Sequence, residues 1–210
     1  MNDVYEYRSV RIRRGAWREL AMATAALADP PAYALFAGMI GFASDEGILM
    51  RVWPDSESLV ERATRALPAH IIESRVDRLT ATVRPIDQTP PRVDGVYAHR
   101  WFWLQPQDWP EFQNLSEEGI WPYFESDGCA IIGLWRSSEP GPLAAALLIT
   151  RHPSVAHWER TRLQSTEPPP GADERLYRQA QTAGRRRAEI TERSIVRLTR
   201  LIVPGQSQRS

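Results

Sequence analysis

The sequence predicts an α+β protein made of two tandem β-α-β-β-α-β units, and three observations in its 210 residues carry that expectation. The first is a duplicated opening. Val4-Tyr5-Glu6-Tyr7-Arg8 and Val96-Tyr97-Ala98-His99-Arg100 share Val, Tyr, a variable residue, a ring and Arg, 92 residues apart, and the same offset carries Gly41 onto Gly133. The second is a duplicated ending: Glu73, Arg78, Leu79, Thr80 and Pro85 match Glu192, Arg197, Leu198, Thr199 and Pro204 at an offset of 119. The second unit then holds about 27 extra residues (119 − 92) before its last segment. The third is that strand-like and helix-like apolar spacing follows the same order in both halves.

The elements follow in order. Residues 4–13 alternate and are rich in β-formers, with Val4, Glu6, Arg8, Val10 and Ile12 on one face and Tyr5, Tyr7, Ser9 and Arg11 on the other. After Gly15, Trp17, Leu20, Ala21, Thr24 and Leu27 recur at helical spacing until Asp29-Pro30-Pro31 stops the helix. Strands at 35–43 and 48–53 flank the turn Ser44-Asp45-Glu46-Gly47, forming a hairpin. Pro54-Asp55-Ser56 opens a helix with Leu59, Val60, Ala63 and Leu67 on one side, and 80–84 is the last strand of the unit. A Pro-bearing linker spans 88–94. In the second unit, 96–104 is a strand and Asp108-Trp109-Pro110-Glu111 has capping-box spacing for a helix burying Trp109, Phe112, Leu115 and Ile120. Residues 129–137 and 143–151 form a hairpin, the latter apolar enough for a strand covered on both faces. Pro153-Ser154 opens a helix, Glu167-Pro168-Pro169-Pro170-Gly171 redirects the chain, and 173–189 is a polar, Arg-rich helix burying little. A strand at 193–202 ends the unit, and 205–210 reads as a disordered tail. The expected domains are therefore 1–87 and 94–204, the second with a helical insert near 163–189 serving as outer packing, oligomer contact or lid.

Composition narrows the function classes. Equal numbers of acidic and basic residues give a formal net charge of zero, so no global field draws the chain to nucleic acid or anionic lipid. There is no Lys, which removes Schiff-base chemistry. The single Cys129 excludes an intrachain disulfide, no apolar run reaches the ~20 residues of a membrane span, and the start lacks an apolar leader. A cytoplasmic protein with a small-molecule ligand, no nucleic-acid or membrane partner and a homo-oligomeric state open to test is the expectation.

The doubled element order resembles the tandem form of the dimeric α+β barrel, in which two ferredoxin-like sheets face each other. The start of each half resembles the NIPSNAP family, whose first strand reads Tyr-Glu-x-Arg before a Gly. Tyr5-Glu6-Tyr7-Arg8 and Gly15 match in the first half, and Tyr97 and Arg100 in the second; Ala98 stands where Glu would be, and His99 replaces an aliphatic residue. The resemblance spans 3–85 and 94–203. It implies a cavity between sheets and, across the wider superfamily, cofactor-free oxygenases, isomerases, cyclases and haem-handling proteins. It does not choose a reaction.

Two constellations are candidates for the site. Glu6, Arg8 and Arg100 would bind an anionic or carbonyl-bearing substrate if their strand face lines the cavity, with Glu6 moving a proton; the plainer alternative is a structural Glu–Arg network. Tyr97, His99, Trp101 and Trp103 share the opposite face of the second unit's first strand and form an aromatic stripe with one titratable ring, with ordinary core or an oligomer surface as its alternative. Glu6 and His99 are thus the candidate catalytic groups, and Glu6, Arg8, Arg100, Tyr7 and His99 the candidate substrate contacts. His152 reads as exposed. His157 on its helix matches the place where superfamily relatives put an axial haem ligand, but no cofactor is expected, and no metal spacing occurs. Three functions stay open: a cofactor-independent oxygenase, isomerase or cyclase; a non-catalytic binding or assembly module with a filled barrel; and a haem-binding relative.

Overall fold

The computed structural model describes residues 3–27, 29–62, 67–163 and 165–203. The tail at 205–210 and the end of the helix begun at Pro54 lie outside them. Eight strands, β1 (Val4–Ile12), β2 (Ala32–Ile40), β3 (Glu46–Trp53), β4 (Ile71–Arg84), β5 (Val96–Leu104), β6 (Ala130–Ser137), β7 (Ala144–His152) and β8 (Thr191–Leu201), close into one antiparallel barrel in the order β1-β3-β2-β8-β5-β7-β6-β4. Each half contributes a ferredoxin-like sheet, β4-β1-β3-β2 and β8-β5-β7-β6, joined along β2–β8 and β4–β6. The helices are α1 (Trp17–Ala25), α2 (Ser56–Arg62), α3 (Trp109–Asn114), α4 (Trp121–Ser126), α5 (Val155–Arg160) and α6 (Glu174–Glu189).

The period of two along each strand sends alternate residues to two different cores. Tyr5, Tyr7, Phe36, Ile48, Met50, Tyr97, Leu147 and Ile149 point into the barrel and pack together. The other face lies under the helices: Val10 and Ile12 meet Leu20 and Ala21 of α1, and Phe102 and Leu104 meet Phe112 and Trp121. Tyr5 stacks edge-on against Tyr33 and Trp135, at 5.4 and 5.6 Å, and fills one end of the barrel.

Several expectations are corrected. Strand β4 begins at Ile71, nine residues before the expected Thr80, because its first half is too polar to show a core face; pairing with β1 holds it, Tyr7 opposite Asp77 and Arg11 opposite Glu73. That register also corrects the second echo. Val4 lies opposite Thr80 and Val96 opposite Arg200, so equivalent β4 and β8 positions are 120 apart, not 119, and Arg197 answers to Asp77 rather than Arg78. A slip of one residue exchanges the two faces. The helix expected from Asp108 is broken into α3, a π-helical turn at Leu115–Ile120 and α4. Pro122 supplies no N–H to the preceding turn, which loosens the helical ladder there. Asp108 makes no cap hydrogen bond, and Glu111 instead pairs with Arg186 on α6. Helix α6 is more embedded than its polarity suggests. Tyr177 and Ala180 are fully buried against Tyr123, and Gly119 lets Ala183 approach so closely that a Cβ at 119 would lie 2.3 Å from it.

Candidate functional site

The expected Glu6–Arg8–Arg100 cavity is not formed, because those three residues occupy the helix-covered face of the sheet. Val4 and Trp53, beside Glu6 on that face, pack on Leu59 of α2. Glu6 is fully buried and accepts hydrogen bonds from Arg8 Nε, from Arg51 at 2.9 and 3.1 Å, and from Trp53 Nε1 at 2.7 Å. Every lone-pair direction of the carboxylate is thereby committed, so Glu6 anchors two buried guanidiniums and has no capacity left for a substrate proton. Arg8 also donates to Ser74 Oγ at 2.8 Å. Arg100 stands apart in the second unit, its guanidinium 6.0 Å from the Phe102 ring.

Tyr7 and His99 do meet, inside the barrel. The Tyr7 hydroxyl lies 3.2 Å from His99 Nδ1, and His99 Nε2 lies 3.0 Å from Thr199 Oγ1, which is also 3.4 Å from the Tyr97 carbonyl. A carbonyl only accepts, so Thr199 donates to it. His99 then donates from Nε2 to Thr199, and Tyr7 donates to Nδ1. Burial holds the His99 pKa down near about 3, so the ring is neutral, and burial pushes the Tyr7 phenol far up against the opposing pull of Trp101 and Arg197. With its proton engaged by His99, the Tyr7 oxygen is left as an acceptor, shared with the Trp101 N–H, and Tyr7 lines the open end of the barrel.

That open end is a cavity of about 490 Å³. Its wall is Tyr7, Trp101 and Trp103, with Trp101 edge-on to Tyr7 at 5.6 Å and stacked on Trp103 at 6.1 Å. Its rim carries Arg75, Asp77, Glu139, Arg193 and Arg197, and the Pro140–Leu143 turn forms a lip. Arg193 lies 5.0 Å over the Trp103 ring. Burial raises the Asp77 carboxyl above the usual carboxylate range despite Arg75 beside it, and their contact at 3.3 Å is loose. A depression of about 580 Å³ along α6, at Leu115, Arg178 and Arg186, is larger but is an open furrow on the outer surface. The barrel mouth is the better enclosed and the one with convergent polar groups. Sequence reasoning placed His99, Trp101 and Trp103 on one face of β5 and named Tyr7 as a candidate contact, but missed Asp77, Arg193 and Arg197 as site residues. The alternation of Arg75, Asp77 and of Arg193, Ile195, Arg197 was the available signal.

His152 and His157 correct the reading of surface histidines, since both are buried. His157 Nε2 lies 2.6 Å from the Asp127 carbonyl and must donate to it. The two Nδ1 atoms are 3.2 Å apart, so His152 donates to His157, and His152 Nε2 accepts from Thr150 Oγ1 at 2.9 Å, with Cys129 Sγ at 3.7 Å. Burial holds His152 near about 3 and pushes the Cys129 thiol up to about 12. The set is internally satisfied, with the Asp127 carboxylate a further 3.4 Å neighbour of His157 Nε2. Both nitrogens of His157 are committed, and the adjacent cavity is about 60 Å³, too small for a porphyrin. These residues do not fit a haem. Among the described residues no group of His, Cys, Asp and Glu is arranged to hold a metal ion, and no helix is long and apolar enough to cross a membrane.

No family model and no curated protein sequence matches the chain. Solved structures do match its fold. An anthrone oxidase-like protein aligns with a TM-score of 0.61 and 11% identity over 98% of this chain and 95% of its own. A candidate monooxygenase from Lactobacillus acidophilus NCFM aligns at 0.59 and 8%, covering 98% of both chains. A mutant chlorite dismutase from Candidatus Nitrospira defluvii aligns at 0.58 and 10%, over 95% of this chain and 91% of that one. At such identities the likeness establishes the architecture, a dimeric α+β barrel, and no activity.

Proposed function

We propose that the chain is a NIPSNAP-like protein that binds a small, flat aromatic molecule carrying a hydroxyl or carbonyl group in the barrel mouth. One observation carries the reading: the cavity pairs an aromatic wall of Tyr7, Trp101 and Trp103 with a rim of Arg193, Arg197 and Asp77. Aromatic faces take a ring by stacking, guanidinium forks take a carbonyl or phenolate oxygen, and the Tyr7 oxygen takes a ligand hydroxyl. Asp77, raised by burial, is the group placed to accept a proton from an acidic C–H or phenol. His99 positions Tyr7 and is not itself the base. On this reading any chemistry is cofactor-independent and begins with proton abstraction, as in a monooxygenase- or isomerase-like activity. The neighbours that include an anthrone oxidase-like protein are compatible with it. The division into units at 1–87 and 94–204 belongs to the same proposal.

The filled-module alternative has its own support, because the barrel below Tyr7 is closed by Phe36, Met50 and Tyr97. Titration separates the two. Anthrone or a hydroxylated anthraquinone should quench tryptophan emission saturably, and Trp101→Leu should weaken that binding by about tenfold. Dioxygen uptake with anthrone, without added cofactor, should fall in Asp77→Asn at unchanged affinity. Absence of saturable quenching with any flat aromatic probe would leave the filled module as the reading.

A further inference from the structure

The strand pairings show where the second unit lacks what the first supplies. Glu6 lies opposite Arg51 and Arg8 opposite Leu49; Ala98 lies opposite Thr150 and Arg100 opposite Leu148. Arg100 is therefore the counterpart of Arg8, and Ala98 stands where Glu6 would neutralise it. The space is open. A cavity of about 60 Å³, bounded by Ala98, Arg100, Thr150, His152, Arg162 and Arg187, occupies it. That is room for roughly two waters at their share of liquid volume, or for one small polyatomic ion.

Helix α6 brings a second cation to this space. Arg187 is 9% exposed, lies 4.9 Å from the same Phe102 ring that Arg100 flanks, and donates to Ser116 Oγ at 3.1 Å. Arg162 is bound to Glu159 at 3.3 Å, but among the described residues neither Arg100 nor Arg187 has an ion-pair partner. Burial pushes both below the usual arginine range, Arg187 to about 9; the charge of Arg162 adds to the effect on Arg100 and that of Arg100 to the effect on Arg187, with no carboxylate acting against them. Two guanidiniums that share one small pocket, Arg187 buried and Arg100 half-buried, with no carboxylate between them, favour an anion there.

We propose that this pocket binds a small oxyanion, a phosphate or carboxylate group, held between Arg100 and Arg187 in the place that Glu6 fills in the first unit. The site lies on the helix-covered face, away from the barrel mouth, and does not depend on the reading given for that mouth. The hydroxyls of Thr150 and Thr161 are committed to His152 Nε2 and to the Trp158 carbonyl, so recognition falls to the guanidinium N–H groups. Their forked donors suit two oxygens of one group.

The test uses the full chain in chloride buffer at fixed ionic strength, titrated calorimetrically with inorganic phosphate, sulfate and acetate, with thermal unfolding alongside. One equivalent should bind saturably at millimolar concentration or below and raise the melting temperature. Preference for phosphate and sulfate identifies a tetrahedral anion, and equal or better binding of acetate identifies the carboxylate of a larger molecule. Arg100→Gln should weaken binding by about tenfold or more. Ala98→Glu should abolish it and raise the melting temperature in anion-free buffer, because it restores the missing carboxylate; quenching by the barrel-mouth probe should be unchanged in both. The proposal is overturned if none of the three anions binds saturably. It is equally overturned if both variants bind as the parent does, or if Ala98→Glu folds but melts lower while still responding to phosphate.

Discussion

In the first unit a carboxylate sits among guanidiniums: Glu6 accepts from Arg8, Arg51 and Trp53, and all of them are buried. In the second unit the corresponding strand begins with nearly the same five residues, yet Ala98 removes the acid, Thr150 replaces Arg51, and α6 adds Arg187. One outer face is thus closed electrostatically within the chain and the other is left positive. The inner faces differ as well. Tyr7 is the hydroxyl donor and His99 the acceptor at matching positions, so the two halves meet inside the barrel as unlike partners. A repeated sequence frame fixes where a side chain stands. Its partners on neighbouring strands and helices decide what it does.

Four measurements bear on that contrast, taken from the largest expected effect. Removing the charge at the closed face, Glu6→Gln, leaves Arg8 and Arg51 buried around a neutral amide and should cost about 3–5 kcal/mol in urea unfolding. A loss below about 1 kcal/mol would mean that the cluster is solvated and the two faces are alike. Truncating the roof of the open face, Tyr177→Ala, deletes a buried ring that also donates to the Ser165 carbonyl at 2.8 Å, and should cost about 3 kcal/mol or slightly more. This replaces the sequence expectation that α6 docks weakly.

The third concerns acid. His99 and His152 are both buried in the second unit, which holds their pKa values down to about 3, against about 6.5 for a free imidazole. The unfolded chain therefore binds protons that the folded chain refuses. Stability is fully present above about 6.5 and falls as pH drops toward 3, by up to about 1.4 kcal/mol per pH unit for each imidazole. His152→Gln should roughly halve the slope. Hydrogen exchange at pH 5 should speed up in β5–β8 before β1–β4; acceleration that begins in the first unit would contradict the assignment. The smallest effect is expected at the surface pair that links the units, Arg78 with Glu139 at 2.8 Å, where Glu139→Gln should change stability by less than about 1 kcal/mol.

Much of the architecture was legible because it rests on local pattern. Alternation in 4–13 and 96–104 separated the two faces correctly, and Pro153-Ser154 did open a helix, with Ser154 accepting from the His157 N–H. Which face looks inward was not legible, because both faces are apolar enough to be core. The candidate site was half visible for the same reason: Tyr7 and His99 came together, while Glu6 and Arg8 went to the other side of the sheet. Asp77 escaped notice because a strand held by pairing with β1 needs no apolar period of its own. His152 looked exposed beside Pro153, yet the packing of α5 and of residues 127–129 over it, which sequence spacing does not encode, buries it.

Closure of the sheet within one chain has a consequence for association. Every described strand has hydrogen-bonded neighbours on both sides, β2 with β8 and β4 with β6 completing the ring. Strand addition is thereby confined to the segments that extend beyond those two seams, residues 71–78 of β4 and 191–197 of β8, which pair with β1 and β5 alone and are polar. Assembly of this protein therefore falls mainly to side chains, on the helices or around the barrel mouth, with backbone ladders open only along those two short stretches.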